Sequence, residues 1–115
     1  MKAEEIFKRG LKYWPTEIDV SDGKEVIETN GFLSNNLSST WNEAEENANK
    51  NEWDEIAIWI IFGLLHISAR VNFKKGIHKI YLSEINYEEF KIKLFDALQY
   101  EGYELMLSEY LKNNN

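Results

Sequence analysis

The stretch Glu52-Trp53-Asp54-Glu55-Ile56-Ala57-Ile58-Trp59-Ile60-Ile61-Phe62-Gly63-Leu64-Leu65-His66-Ile67-Ser68-Ala69-Arg70-Val71-Asn72-Phe73 decides the fold. Wound as a helix, one face carries Trp53, Ile56, Ala57, Ile60, Leu64, Ile67 and Val71. The opposite face carries Ile58, Ile61, Phe62, Leu65 and Ala69. A helix that is apolar nearly all round is buried on most sides, so the pattern predicts a central core helix over 52–73. Its unbroken apolar run, Ile56 to Leu65, is ten residues long. A membrane span needs about 20, and acids precede the run while His66 and Arg70 follow it. The expectation is a core helix, not a membrane helix.

Working outward, Ala3, Ile6, Phe7, Gly10, Leu11 and Trp14 fall on one face of an amphipathic N-terminal helix. Glu4–Lys8 and Glu5–Arg9 have the favourable spacing for ion pairs along it. Pro15 ends it. Residues 17–34 admit two readings. One is a small β-hairpin turning at Asn30-Gly31; the other is a short helix from Lys24 to Thr29 stopped by Gly31. Residues 34–40 read as a polar loop. Thr40 with Glu43 has capping-box spacing, predicting a helix over 41–49 with a thin apolar face of Trp41, Ala44 and Ala48. A break near Asn49–Asn51 separates it from the central helix, which Asn51 caps.

Beyond the central helix, which should end between Asn72 and Gly76, residues 77–85 show no clean period. Asn86 with Glu89 opens a further helix carrying Tyr87, Phe90, Leu94, Ala97 and Leu98. Tyr103, Met106, Leu107, Tyr110 and Leu111 form another stripe, out of phase with it, so a break is expected near Gly102. Residues 113–115 should fray. The expected architecture is mainly α: a single domain over 1–115, five or six helices around the buried central one, with the hairpin in 17–34 as an open alternative.

The 115 residues suit one core, and at 43% hydrophobic and 14% aromatic they can fill it. With no cysteine, disulfides and thiolate metal sites are excluded. The N-terminus lacks the apolar segment of a signal peptide, so a cytoplasmic protein is expected. Abundant Lys, Asn and Ile point to an AT-rich, bacterial genome. Net charge is −7, which repels nucleic acid and anionic membranes and attracts basic partners. The one basic cluster, Lys74, Lys75, His78 and Lys79, sits where cations complement the dipole of the central helix. No nucleophile elbow, phosphate-binding glycine loop or histidine pair at metal-ligand spacing occurs. Neither an enzyme, a metal, a cofactor, a nucleic-acid partner nor a membrane partner is expected.

Two stretches remain as candidate sites. Residues 40–55 hold six acids and one base. Trp41, Glu43, Glu45, Glu46, Glu52, Asp54 and Glu55 make a docking surface for a basic protein, with Trp41 as aromatic anchor. The alternative there is an ordinary solvated face. The second stretch is the polar stripe of the central helix, where His66 and Arg70 lie beside Trp59 across Gly63. The alternative there is a tight helix crossing over Gly63 with His66 and Arg70 reaching solvent.

In size, charge, absence of cysteine, Trp and Tyr content and the acidic Trp41–Glu55 stretch, the chain resembles small acidic bacterial immunity proteins that neutralise a cognate nuclease toxin. The resemblance implies a cofactor-free inhibitor that plugs the basic active site of a secreted nuclease toxin domain, and it transfers no individual residue. A helical regulatory module, or a homo-oligomer built on surplus aromatics, is the second expectation. An enzyme using carboxylates brought together only in the fold is the third.

Overall fold

The computed structural model describes residues 3–23, 35–48 and 51–99. Among these, four α-helices and two short strands follow in the order α1 (Ala3–Leu11), β1 (Glu17–Asp19), α2 (Asn35–Asn47), α3 (Glu52–Lys74), β2 (Lys79–Tyr81) and α4 (Tyr87–Leu98). Single 3-10 turns at Ser21–Gly23 and Leu82–Glu84 follow the two strands. The chain is mainly helical, as its periodicity predicts. The expected fifth helix over 103–111 lies outside the described residues, as do the Lys24–Thr29 helix, the Asn30–Gly31 turn and the fraying end at 113–115.

Helix α3 is the core element and packs against α1, α2, β2 and α4. Both of its ends are written locally. Asn51 accepts the Trp53 N–H at 2.9 Å and caps the start. At the far end the N–H groups of Gly76 and Ile77 donate back to the carbonyls of Phe73 and Asn72, at 3.0 and 2.9 Å. That double closure needs a left-handed residue, and Gly76 supplies it with φ of 79°. By length and composition α3 could also cross a membrane, but half of its apolar window is buried inside the fold.

Among the described residues α3 is covered on most sides, as its apolar pattern predicts, and one face is left open. Ala57, Ile58, Ile60, Ile61, Leu64 and Leu65 are buried, yet Trp59 and Ile67 are 57% and 55% exposed, and Val71 is exposed as well. A wheel shows that a helix is apolar; it does not show on how many sides neighbours are available.

The tight helix crossing is at Gly10, not Gly63. A Cβ built on Gly10 would lie 2.7 Å from Ala57 Cβ and 2.9 Å from Ile61 Cδ1. A Cβ on Gly63 would meet nothing within 4 Å. Absence of a side chain at position 10 lets α1 sit directly on α3. Beyond the crossing, the Phe7 ring packs on Phe90 of α4, with centroids 4.9 Å apart.

β1 finds a distant partner, while the rest of the expected local hairpin, with its Asn30-Gly31 turn, lies outside the described residues. β1 pairs antiparallel with β2, with Ile18 opposite Ile80 and both buried. Its partner therefore comes from the 77–85 stretch, which has no readable period. Helix α2 begins six residues earlier than its capping-box signal. Thr40 is inside the helix and donates its hydroxyl to the Asn36 carbonyl at 2.7 Å. The donor at the true start, Asn36 N–H, is met at 3.1 Å by the carboxylate of Asp22, fourteen residues upstream.

The two glycines separate in a stability measurement. Gly10→Ala forces the crossing apart and destabilises by about 1–3 kcal/mol despite alanine's better helix propensity. Gly63→Ala has room and stabilises by up to ~1 kcal/mol. Denaturant unfolding in dilute solution checks both signs.

Candidate binding surface

The seven residues of the acidic stretch divide three ways. Glu43, Glu45 and Glu46 of α2 and Glu52 and Glu55 of α3 are exposed. Each is without a salt bridge to any described residue. Asn47 and Glu52, the facing ends of α2 and α3, are only five residues apart, so at ~3.5 Å per residue they lie within about 17 Å of each other. These five exposed carboxylates therefore flank the connection between α2 and α3.

Asp54 does not belong to that surface. Its side chain is 4% exposed, its Oδ1 lies 2.8 Å from the Arg9 guanidinium, and its Oδ2 accepts the Tyr13 hydroxyl at 2.8 Å. It also occupies the first turn of α3, where the helix dipole favours a negative charge. Asp54 therefore ties α1 to the head of α3, and Arg9 reaches Asp54 as well as standing four residues from Glu5. Trp41 is likewise no free anchor. It is half-buried, with its ring 5.2 Å from Phe62, and Trp14 stacks 6.2 Å from the other side of that seam. The apolar clasp of α2 on α3 is Leu37, Ala44 and Trp41.

The second candidate changes more. Glu52, Glu55, Trp59, Gly63, His66 and Arg70 lie within about 40° of one line along α3. Among the described residues no element crosses at Gly63, which forms the floor of a groove of about 440 Å³ between α3 and α4. Trp59, Ile60, Ile67, Lys93 and Asp96 are among its walls. A smaller apolar dent beside it carries Ile92 and Phe95, both exposed. The helical glycine was a visible signal in the sequence; its meaning, open space and not a crossing, was not.

His66 and Arg70 are half-buried on the same line. The His66 Nε2 and Arg70 Nε are buried atoms without a hydrogen-bond partner. Burial holds the imidazole below its ordinary pKa, and the Arg70 guanidinium pushes in the same direction. The pair thus favours a neutral imidazole beside a fixed cation. Among the described residues no group of three or more His, Asp or Glu could hold a metal ion.

No protein-family profile matches the chain, and neither does any curated protein or any solved structure.

Two substitutions test these assignments. Asp54→Ala strands the Arg9 charge and destabilises by about 3 kcal/mol, measured by denaturant unfolding, as removal of one partner of a buried pair does. For His66 the folded-state pKa lies below the unfolded value of 6.5, so the unfolded chain takes up the proton first. Stability is then full above pH 6.5 and declines as pH falls through the depressed folded value. His66→Gln removes that part of the decline, and paired melting curves across the window show it.

Proposed function

We propose that this chain is a stoichiometric binding protein whose acidic surface receives a basic protein, in the manner of an immunity protein neutralising a nuclease-type toxin. One observation carries the reading. Glu43, Glu45 and Glu46 stand in the last turns of α2, which runs Asn35–Asn47 and has no basic residue in its last turn. The C-terminal end of a helix carries a partial negative charge, so carboxylates there are unfavourable. Structural need explains Glu52 and Glu55 at the head of α3; it does not explain these three. A feature that breaks a local rule without compensation is most simply retained for what it binds. Exposed acids flanking one connection give a directed field that speeds encounter with a basic surface. Blocking a nuclease cleft in this way requires charge complementarity and steric fit, and no chemistry by the inhibitor.

A basic nuclease domain encoded beside this chain is the probe. Titration should abolish its activity at one-to-one stoichiometry. Reversing Glu43 and Glu46 to Lys should slow association and flatten its salt dependence. The same reversal should leave the melting temperature unchanged or higher, because it removes charges from the wrong end of the helix. Unchanged association rates, or a clear loss of stability, would show that these acids serve the fold and overturn the reading.

A further inference from the structure

We propose that the open face of α3 is a homodimer interface, in which a second copy crosses antiparallel over Gly63. The observation is that this face is self-complementary about that glycine. A two-fold axis at Gly63 brings together residues equally far from it on the two helices. Trp59 and Ile67 each stand four residues away, and both are more than half exposed. Each exposed indole would thus face the partner's Ile67, over a groove of about 440 Å³ floored by a residue without a side chain. Glu52 and Lys74 each stand eleven residues from Gly63. Glu55 stands eight away and Arg70 seven. The acids lie entirely on the N-terminal side and the bases on the C-terminal side, so the antiparallel arrangement matches each acid to a base; a parallel one would place like charges opposite each other.

The geometry permits these contacts. At 1.5 Å per residue Glu55 is about 12 Å from the pivot. With helices crossing near 20°, their axes diverge sideways by only about 4 Å there. Arg70 is half-buried and without a salt bridge to any described residue. A second copy supplies a carboxylate to this guanidinium. On α4, Lys93 and Asp96 at the groove wall add one charge of each sign to the same face.

Each copy carries a charge of −7, so the copies repel at long range and must be held by short-range burial and local pairing. Added salt within the physiological range screens that repulsion, at a Debye length of about 8 Å. Association of two copies should therefore tolerate salt that weakens binding of a basic partner, and the salt response separates the two modes of binding, which share Glu52 and Glu55.

Sedimentation equilibrium of the full chain over the micromolar range tests the proposal, with a monomer–dimer equilibrium expected. Glu55→Arg and Arg70→Glu should each weaken the dimer by about tenfold or more, since each reversal strikes both symmetry-related contacts. The double variant should recover most of the loss. Within one helix these residues are fifteen positions apart, about 22 Å, so rescue can only act between copies. Gly63→Val should abolish the dimer while the monomer keeps its melting transition, because its Cβ position is open. A monomer at every concentration, a dimer indifferent to Gly63→Val, or failure of the double reversal to rescue would each overturn the proposal and leave the groove to another occupant.

Discussion

The direct contact of α1 on α3 at Gly10 is the constraint on which the rest of the packing depends. With no Cβ at position 10, the α1 backbone rests on Ala57 and Ile61. That closeness sets what can happen on either side. Arg9 and Tyr13 are carried to the head of α3, where both engage Asp54 at 2.8 Å. Trp14, one turn on, closes over Phe62. On the other side Phe7 reaches Phe90, so α4 is held against the same pair of helices. An ion pair this sheltered is stabilising only if its geometry is fixed, since desolvation opposes it. Here the apolar crossing fixes the geometry and the charges follow.

Because α1, α2, β2 and α4 occupy most of the circumference of α3, its remaining face is left with the residues that no described element claims. Those residues are ordered by charge for an ordinary reason: acids at the N-terminus and bases at the C-terminus both favour the helix dipole. Any helix obeying that rule is antisymmetric in charge along its length. Among the described residues α3 also leaves its middle open, with a glycine at the centre and Trp59 and Ile67 four residues to each side. It is this conjunction, not the charge order alone, that makes the face fit a second copy.

Much of the fold was legible because it is set by neighbours in sequence. Asn51 and Asn86 cap α3 and α4 through the next few N–H groups, and Gly76 closes α3 within five residues. What escaped was set at a distance. The start of α2 is met by Asp22, and β1 finds β2 some sixty residues away, so neither leaves a local pattern. Asp54 reads as one more acid in an acidic run until Arg9 and Tyr13 are seen to reach it. The two glycines look alike in a helical stripe, yet Gly10 is crowded and Gly63 is open. Of the candidate surface, the exposed carboxylates were visible in the sequence. Their position at the wrong end of a helix was not, because it depends on where α2 begins.

That shift in the start of α2 reverses the meaning of the same residues. If the helix began at Trp41, Glu43 would stand in its first turn, near the cap, where the dipole rewards an acid and nothing further needs explaining. Since it begins at Asn35, Glu43 stands two turns further in, and Glu45 and Glu46 end the helix against the dipole. The apolar hold on α2 is small, resting on Leu37, Ala44 and the half-buried Trp41. A weakly anchored helix is where added repulsion is least tolerable, and the acids of α3's first turn, Glu52 and Glu55, add to it across a short connection. Under the proposed function, a basic surface arriving from outside would offset that repulsion. Glu43, Glu45 and Glu46 therefore bear on the proposed basic partner more than Glu52 and Glu55 do, because the dipole accounts for the acids of α3 and not for those of α2.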